Sequence, residues 1–313
     1  MKKISTKSFL LLLLTAVIWG TAFVAQSAGT DYAGPFTFNA VRSAMGGLVL
    51  IPCIYFLDRG KKKRGEQVVS DRKALLKGGV LCGVVLFIAS NLQQIGIQYT
   101  TAGKAGFITA LYIVIVPIMG IFLKKFAGLK VWMGVLLAAV GLYFLCITDS
   151  LKIGMGDIYI LVCAICFAVH ILVIDYYSPL VDGVKMSCIQ FLVCAVLSAV
   201  PMFLFESPQT ESILAGWLPL VYAGVMSCGV AYTLQIVGQR GADPTIVSLI
   251  LSLEAVVSVL AGFLILGERL SSREFIGCIL MFAAIILAQL PEREKKKTAS
   301  ENRDSLSPSD ACE

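Results

Sequence analysis

The chain has 313 residues, of which 58% are hydrophobic and only 15% are charged, and its mean hydropathy is +0.85. A typical soluble domain carries roughly 25% charged residues, so there are too few charges here to cover a surface in water. The composition excludes a disordered chain and argues strongly against a soluble globular enzyme. The net charge of +6 does not indicate nucleic-acid binding, because the excess lies in short connecting loops.

The apolar residues are gathered into long runs that are suited to crossing a membrane. A spanning helix needs about 20 mostly apolar residues. Ten segments meet this requirement: 8–28, 36–57, 75–98, 103–124, 130–149, 156–176, 186–205, 213–236, 243–266 and 273–290. The predicted fold class is therefore an all-α integral membrane protein with ten transmembrane helices, in which short links make successive helices antiparallel neighbours.

The basic residues predict the orientation of these helices. With the N-terminus inside the cell, 21 Lys and Arg residues fall on the cytoplasmic side and four fall outside, with Arg42 left within a span. Cytoplasmic loops carry such an excess of positive charge. We therefore expect a multi-pass protein of the inner or plasma membrane with both termini in the cytoplasm. The polar tail 291–313 is predicted to be disordered.

The two halves of the chain align with each other. An offset of 148 positions lays 9–57 on 157–205, and an offset of 142 lays 89–120 on 231–262, with eight residues of identical type in the second alignment. The predicted repeats are 8–149, with helices one to five, and 156–290, with helices six to ten. Because five is odd, the halves would enter the membrane from opposite sides. Inverted repeats of this kind are typical of secondary transporters, whose substrate sites lie between the repeats near the midplane.

Glu254 lies halfway along segment nine and is the most deeply placed ionisable residue in any predicted span. A helix rises 1.5 Å per residue, so the carboxyl group is about 16 Å from either end of the segment. Ionisable groups at this depth normally face a cavity or a partner. Glu254 is predicted to carry a coupling proton or to bind a cationic substrate. A structural carboxyl group bonded to a neighbouring helix is the alternative. The 142-residue offset pairs Glu254 with Tyr112.

Two other ionisable residues lie within spans. Arg42 could extend to the membrane surface, neutralise an acidic substrate or pair with a helix end. His170, the single histidine, is either a packing residue or a proton relay or substrate contact.

Polar and aromatic residues at helical spacing complete the predicted substrate cavity. The predicted lining comprises Trp19, Phe23, Arg42, Asn91, Gln94, Tyr112, His170, Gln190, Tyr232 and Gln235, with Glu254 as the coupling residue. Aromatic faces can hold apolar or cationic groups, and amides can orient polar ones. Packing of the aromatic rings and hydrogen bonds between helices are the alternatives. We predict no cofactor and no metal, because nine of the ten cysteines lie in apolar runs and His170 has no nearby ligand at metal-binding spacing.

Several short motifs carry a resemblance to a known family. They are Trp19-Gly20-Thr21-Ala22-Phe23, Phe36-x-Phe38-x-x-x-Arg42, Asn91-Leu92-Gln93-Gln94-Ile95-Gly96, the run from Gly106 to Tyr112 with Pro117, Gly156-Asp157, Gln235-x-x-Gly238-Gln239, Pro244-Thr245, Leu253-Glu254 and Leu266-Gly267-Glu268. Over about residues 8–290 the chain resembles the drug/metabolite transporter superfamily, specifically its EamA type with ten helices. Members often have Glu-Pro where this chain has Glu254-Ala255, so helix nine is expected to be straighter here.

The resemblance implies a membrane carrier with a central cavity between two inverted five-helix halves. We expect a secondary active transporter of small metabolites or amino acids that works by alternating access. The expected direction is export, and the expected energy source is a proton gradient. A homodimer is a further option. Uptake of a quaternary ammonium such as choline, held by Trp19, Tyr112 and Tyr232 with Glu254 as the counter-charge, is the alternative. An enzyme is disfavoured because H-E-x-x-H and G-x-S-x-G are absent.

Overall fold

The computed structural model describes residues 4–64, 71–100, 102–124, 128–146, 154–266 and 271–289. In chain order the first half contains α1 (Thr6–Gly29), α2 (Pro35–Lys63), α3 (Arg72–Ile97), α4 (Ala102–Ala110), α5 (Tyr112–Phe122) and α6 (Leu129–Cys146). The second half contains α7 (Met155–Tyr177), α8 (Gly183–Phe205), α9 (Thr210–Ala215), α10 (Trp217–Val221), a π-helical segment (Tyr222–Ala231), α11 (Tyr232–Gln239), α12 (Pro244–Leu251), α13 (Leu253–Leu266) and α14 (Ser272–Gln289). No strand occurs among these described residues. The predicted tail 291–313 lies outside them.

Eight helical stretches in the described part of the chain are long and apolar enough to cross a membrane: Thr6–Gly29, Pro35–Lys63, Arg72–Ile97, Ala102–Phe122, Met155–Tyr177, Gly183–Phe205, Trp217–Gln239 and Pro244–Ile265. Two shorter apolar helices, Leu129–Phe144 and Phe275–Ala288, occupy the places of predicted segments five and ten. The all-helical membrane fold is thus confirmed. Ten spans in two inverted repeats stay a prediction.

Polar caps decide where several helices begin. The side chains of Ser5, Asp71, Asp182 and Asp243 each accept a hydrogen bond from a backbone amide in the first turn of the helix that follows. Such a cap satisfies an N–H group that has no partner inside the helix. Helices α3 and α8 therefore start three residues before the apolar runs that predicted them.

The predicted segment 213–236 begins later than expected. Gly216 separates α9 from α10, and the spanning stretch starts at Trp217. A Cβ atom at Gly216 would lie 2.7 Å from Cβ of Tyr32, so the chain approaches the end of α1 too closely for a side chain at this position. Packing between distant segments therefore restricts this position to glycine, and the local apolar pattern carries no sign of that contact.

The principal packing pairs join the first half of the chain to the second. Helix α1 packs on α13 and α11, α2 on α8 and the π-helical segment, α3 on α7 and α8, and α6 on α14. Glycines permit the last pair, since a Cβ atom at Gly134 would lie 2.9 Å from the carbonyl oxygen of Ala284. Every residue of α12 is buried, so the stretch formed by α12 and α13 lies in the core of the bundle.

Two of the spanning stretches are interrupted near their centres, and a third contains the π-helical segment. Helices α4 and α5 meet at Leu111, and α12 and α13 meet at Ser252. The second interruption directly precedes Leu253 and Glu254, and the expectation that helix nine is straighter than in relatives with Glu-Pro stays a prediction. Interruptions of this kind and π-helical turns occur frequently at functional sites. All three lie beside the cavity described next.

Candidate functional site

A cavity lies inside the helix bundle and encloses about 470 Å³ of space free of protein atoms, counting its open mouth. Its walls come from both halves of the chain. The lining residues are Trp19, Ala22, Phe23, Gln26, Arg42, Gln93, Thr109, Tyr112, Phe167, His170, Ile171, Ser227, Tyr232, Gln235 and Glu254. Sites that hold small molecules place a few polar groups among apolar walls. The lining of this cavity has that composition.

The centre of the cavity holds a hydrogen bond between the two halves. The hydroxyl group of Tyr112 donates to Oε1 of Glu254 at 2.9 Å, and both side chains are buried. Each residue is the eleventh of its stretch, Ala102–Phe122 for Tyr112 and Pro244–Ile265 for Glu254. They are the same two residues that the 142-residue offset pairs. Both therefore lie near mid-membrane, where a carboxyl group is costly without such a partner.

Arg42 supplies the positive charge of the cavity. It is 5% exposed, so its side chain does not reach the surface of the protein. Its Nη1 donates to Oε1 of Gln26 at 2.9 Å, and its guanidinium carbon lies 5.6 Å from the ring centre of Phe38. Gln94 in turn donates to the main-chain oxygen of Gln26 at 3.0 Å. The guanidinium group is thus positioned by an amide and a ring, and no described carboxylate forms an ion pair with it.

Tyr232 is the centre of an aromatic cluster along one wall. Its ring centre lies 4.5 Å from that of Trp19, 5.9 Å from that of His170 and 5.2 Å from that of Phe191. The last two contacts are edge-to-face, the geometry that ring quadrupoles favour. Trp19, His170 and Tyr232 also line the cavity. This wall can hold a flat apolar group or a cation.

Three buried polar atoms of the cavity residues have no hydrogen-bond partner in the described part of the chain. They are the indole nitrogen of Trp19, Nε of Arg42 and Oε1 of Gln235. Such buried groups are rare in folded proteins, and each calls for an explanation. The first two are donors and the third is an acceptor. A ligand with both acceptor and donor groups would satisfy them.

The structure brings eight of the eleven predicted residues to the cavity and leaves three behind its wall. Asn91 donates to Oγ of Ser198 at 3.0 Å, and Gln94 donates to Gln26 as described. Oε1 of Gln190 lies 3.0 Å from Nε2 of His170. Asn91, Gln94 and Gln190 therefore hold helices and cavity residues in place and do not form the lining.

Other lining residues were not among those predicted. Gln93 is one of them, and its Nε2 donates to Oγ1 of Thr109 at 3.1 Å. Phe167 shares a helical face with His170 and could have been found from that spacing. Ser227 lies in the π-helical segment, whose geometry has no signal in a pattern of period 3.6. Among the described residues no group of three or more His, Cys, Asp or Glu side chains could hold a metal ion.

Comparison with known proteins agrees with this architecture. The profile of the EamA-like transporter family matches residues 6–147 and 154–290. An uncharacterized transporter from Archaeoglobus fulgidus is 32% identical over 280 residues, which cover 89% of this chain and 84% of the relative. The uncharacterized transporter YoaV of Bacillus subtilis is 22% identical over 90% of this chain and 96% of its own length. Protein PecM of Dickeya dadantii is 32% identical over 36% of this chain and 39% of its own.

A solved crystal structure superposes with a TM-score of 0.73 at 19% identity, covering 91% of this chain and 96% of the other. At that identity the superposition supports the fold alone. Fold, cavity and relatives together define a multi-pass membrane protein of the transporter class. The chain belongs to the EamA-like transporter family.

Proposed function

We propose that the protein is a secondary active carrier of small zwitterionic metabolites, such as amino acids, which it moves by alternating access between its two halves. The observation that carries the proposal is the cavity itself. Its walls come from both halves, and it holds one cation, Arg42, and one carboxyl group, Glu254. A carboxylate on Arg42 and an ammonium group on Glu254 would match these charges. Export is the direction that the family resemblance implies.

Glu254 is also the proposed coupling residue. It is the single acidic residue in the lining and is 3% exposed. Carboxyl groups within spans commonly relay protons. Exchange of its proton would change the hydrogen bond to Tyr112 and so the contact between the halves. The carrier would in this way link a proton gradient to its conformational cycle.

The test is transport by purified protein in vesicles. A thermal-shift screen against amino acids, other metabolites and quaternary amines first identifies a ligand, because a ligand stabilises the folded state that binds it. Uptake of that ligand, radiolabelled, is then measured with and without a pH gradient. We expect Glu254→Gln to fold and to lose the response to the gradient. Glu211→Gln, which changes an exposed acid in α9, is the matched control and keeps the response. An unaltered response in Glu254→Gln would remove Glu254 from this role.

The aromatic wall favours one second candidate, a carrier of quaternary ammonium compounds. Trp19 and Tyr232 lie with ring centres 4.5 Å apart, and a cation bound over their faces would be attracted by the ring quadrupoles. Arg42 in the same cavity disfavours a ligand that carries only positive charge. Saturable choline binding that is lost in Trp19→Ala would support this candidate. Displacement of a bound ligand by amino acids alone would reject it.

A further inference from the structure

We propose that α2 and α8 form a fixed seam between the two halves, around which the halves rock while the cavity changes the side to which it opens. The seam is defined here as the antiparallel pair of α2 and α8. This inference rests on the alternating access proposed above. It assigns a positioning role to two clamps, one at each end of the seam, whose residues lie outside the cavity lining.

The first clamp joins the C-terminus of α8 to the N-terminus of α2. The carboxylate of Glu206 accepts hydrogen bonds from the backbone amide of Phe36 at 2.9 Å and of Thr37 at 2.7 Å. It also accepts one from the hydroxyl group of Thr37 at 2.6 Å. A negative charge at a helix N-terminus meets unpaired amides and the positive end of the helix dipole. One side chain from the second half therefore caps a helix of the first half.

The second clamp joins the other ends of the same two helices. Nζ of Lys61 lies 2.6 Å from Oδ2 of Asp182, the residue that caps α8. Nζ of Lys185 lies 2.7 Å from Oδ2 of Asp58. Each ion pair has one residue from each half. Together they hold the C-terminal end of α2 against the first turn of α8.

The middle of the seam is packed as closely as its ends. A Cβ atom at Gly47 would lie 2.8 Å from Cδ2 of Leu192 and 3.3 Å from its backbone nitrogen. The thiol of Cys188 donates to the carbonyl oxygen of Gly47 at 3.4 Å, and the hydroxyl of Ser43 donates to Sγ of Cys194 at 3.4 Å. Small residues with polar contacts of this kind hold helices together in membranes.

The clamps correspond under the internal repeat. Thr37 and Lys185 are 148 positions apart, and so are Asp58 and Glu206. The contact between Glu206 and Thr37 and the contact between Asp58 and Lys185 are thus the same contact, made once at each end of the seam. A pseudo-two-fold axis across the middle of the pair would produce this arrangement.

A gate and a fixed seam differ in when their contacts close. The gate on one side of the membrane opens when the gate on the other side closes. In this pair both ends are closed at the same time, and the middle is closely packed. Helix α8 contributes no lining residue, and α2 contributes only Arg42. The surfaces that must separate to admit a substrate lie elsewhere in the bundle. The seam can therefore stay closed throughout the cycle.

The experiment locks both ends of the seam in the full chain with removable metal bridges. Lys61→His with Asp182→His forms one pair, and Thr37→His with Glu206→His forms the other. The chain has one histidine, the buried His170, so Ni²⁺ has few competing sites. Ni²⁺ binding is compared with that of the single substitutions to verify both bridges. Chelation with EDTA returns the same sample to the unlocked state, which controls for folding.

Accessibility of the cavity is the readout, and it requires no known substrate. Ala22→Cys places a thiol in the cavity wall, and a small charged methanethiosulfonate reagent is applied from each face of oriented vesicles. Mass spectrometry of the peptide containing position 22 separates this label from the native cysteines. The unlocked protein is expected to label from both faces. With Ni²⁺ bound, labelling from each face is expected to remain within about twofold of the unlocked rate.

Two other results would overturn the inference and have different meanings. If Ni²⁺ lowers labelling from one face by about tenfold or more while the unlocked protein labels from both, the seam moves and alternating access still holds. If the unlocked protein labels from one face only, alternating access fails, and the seam that rests on it fails too. If Lys61→His with Asp182→His fails to bind Ni²⁺, the pair Asp58→His with Lys185→His places a metal bridge at the same end of the seam.

Discussion

The substitution Gly20→Ala tests how closely the two halves must approach at the cavity. A Cβ atom at Gly20 would lie 2.5 Å from Cβ of Val257 and 2.6 Å from the carbonyl oxygen of Glu254. Ordinary contacts of a Cβ atom are 3.4–4 Å long, so α1 and α13 would have to separate by about 1 Å. Overpacking of this kind costs typically about 1–3 kcal/mol of the free energy of unfolding. The separation would also move the backbone that carries the carboxyl group of Glu254, the proposed coupling residue.

Gly103→Ala is the matched control, because it makes the same chemical change in α4 where a Cβ atom would meet no atom within 4 Å. Replacing glycine by alanine inside a helix stabilises it by roughly 0.5–1 kcal/mol. Because both variants gain this helix preference, it cancels, and they should differ by the overpacking cost of about 1–3 kcal/mol in the free energy of unfolding. Titration with a denaturing detergent in micelles of fixed composition measures this difference. Transport in vesicles should fall in Gly20→Ala alone.

A second substitution identifies the source of the cost. Val257→Ala removes one of the three close contacts at Gly20, the one at 2.8 Å to Cγ1, and leaves those to Cβ and to the carbonyl oxygen of Glu254. The double variant should therefore recover less than half of the lost stability. Wild-type stability in Gly20→Ala would refute the reasoning, since it would mean that the helices can separate without cost.

Two further predictions concern the ends of the seam. Glu206→Ala should destabilise the protein by about 0.5–2 kcal/mol, the usual cost of losing a helix cap, whereas Glu211→Ala, an exposed acid in α9, should leave thermal unfolding unchanged. Burial alone would raise the pKa of Asp182, but Lys61 and the amides of Val184 and Lys185 outweigh it and hold that pKa below its ordinary value. Its contribution to stability is therefore complete at neutral pH and is lost as the pH falls below about 4 through the lowered pKa. Thermal unfolding from neutral to acid pH should show that loss, and Asp182→Asn should lack it; an identical acid profile in both proteins would contradict the assignment.

The internal alignment of the sequence matches Tyr112 with Glu254 but does not by itself predict that the two side chains touch. A pseudo-two-fold axis, which the alignment predicts, would bring matched residues near the axis together. Tyr112 and Glu254, matched by the 142-residue offset, form the hydrogen bond at the centre of the cavity. Composition and hydropathy likewise suffice for the helical membrane fold, since each long apolar run must satisfy its backbone as a helix.

Periodicity does not reveal which face of a helix meets a neighbour and which meets the cavity. Asn91 and Gln94 lie at helical spacing on α3, yet they bond to Ser198 and Gln26 and leave the lining to Gln93. Successive side chains on a helix point about 100° apart around its axis, so an error of one residue can assign a side chain to the neighbouring helix instead of the cavity. The position of α8, which covers Asn91, comes from tertiary packing and has no local signal in the sequence.

The interruption before Glu254 shows how a helix can break without the proline that the family often has there. The hydroxyl groups of Ser248 and Ser252 donate to the carbonyl oxygens three residues earlier, at 2.9 Å and 2.8 Å. Serine bonds of this kind draw carbonyl groups away from the helical ladder and bend helices. The amide of Ala255 then bonds to the oxygen of Ser252, a tight bond of the 3₁₀ type.

The first half is also interrupted in the middle of a spanning stretch, where α4 and α5 meet at Leu111. There the amide of Val114 bonds to the oxygen of Leu111, again over three residues, directly before the next helix. In each half the interruption is followed within two residues by a member of the central pair, Tyr112 after Leu111 and Glu254 after Ser252. Both side chains line the cavity, so each interruption lies directly beside the hydrogen bond that joins the halves.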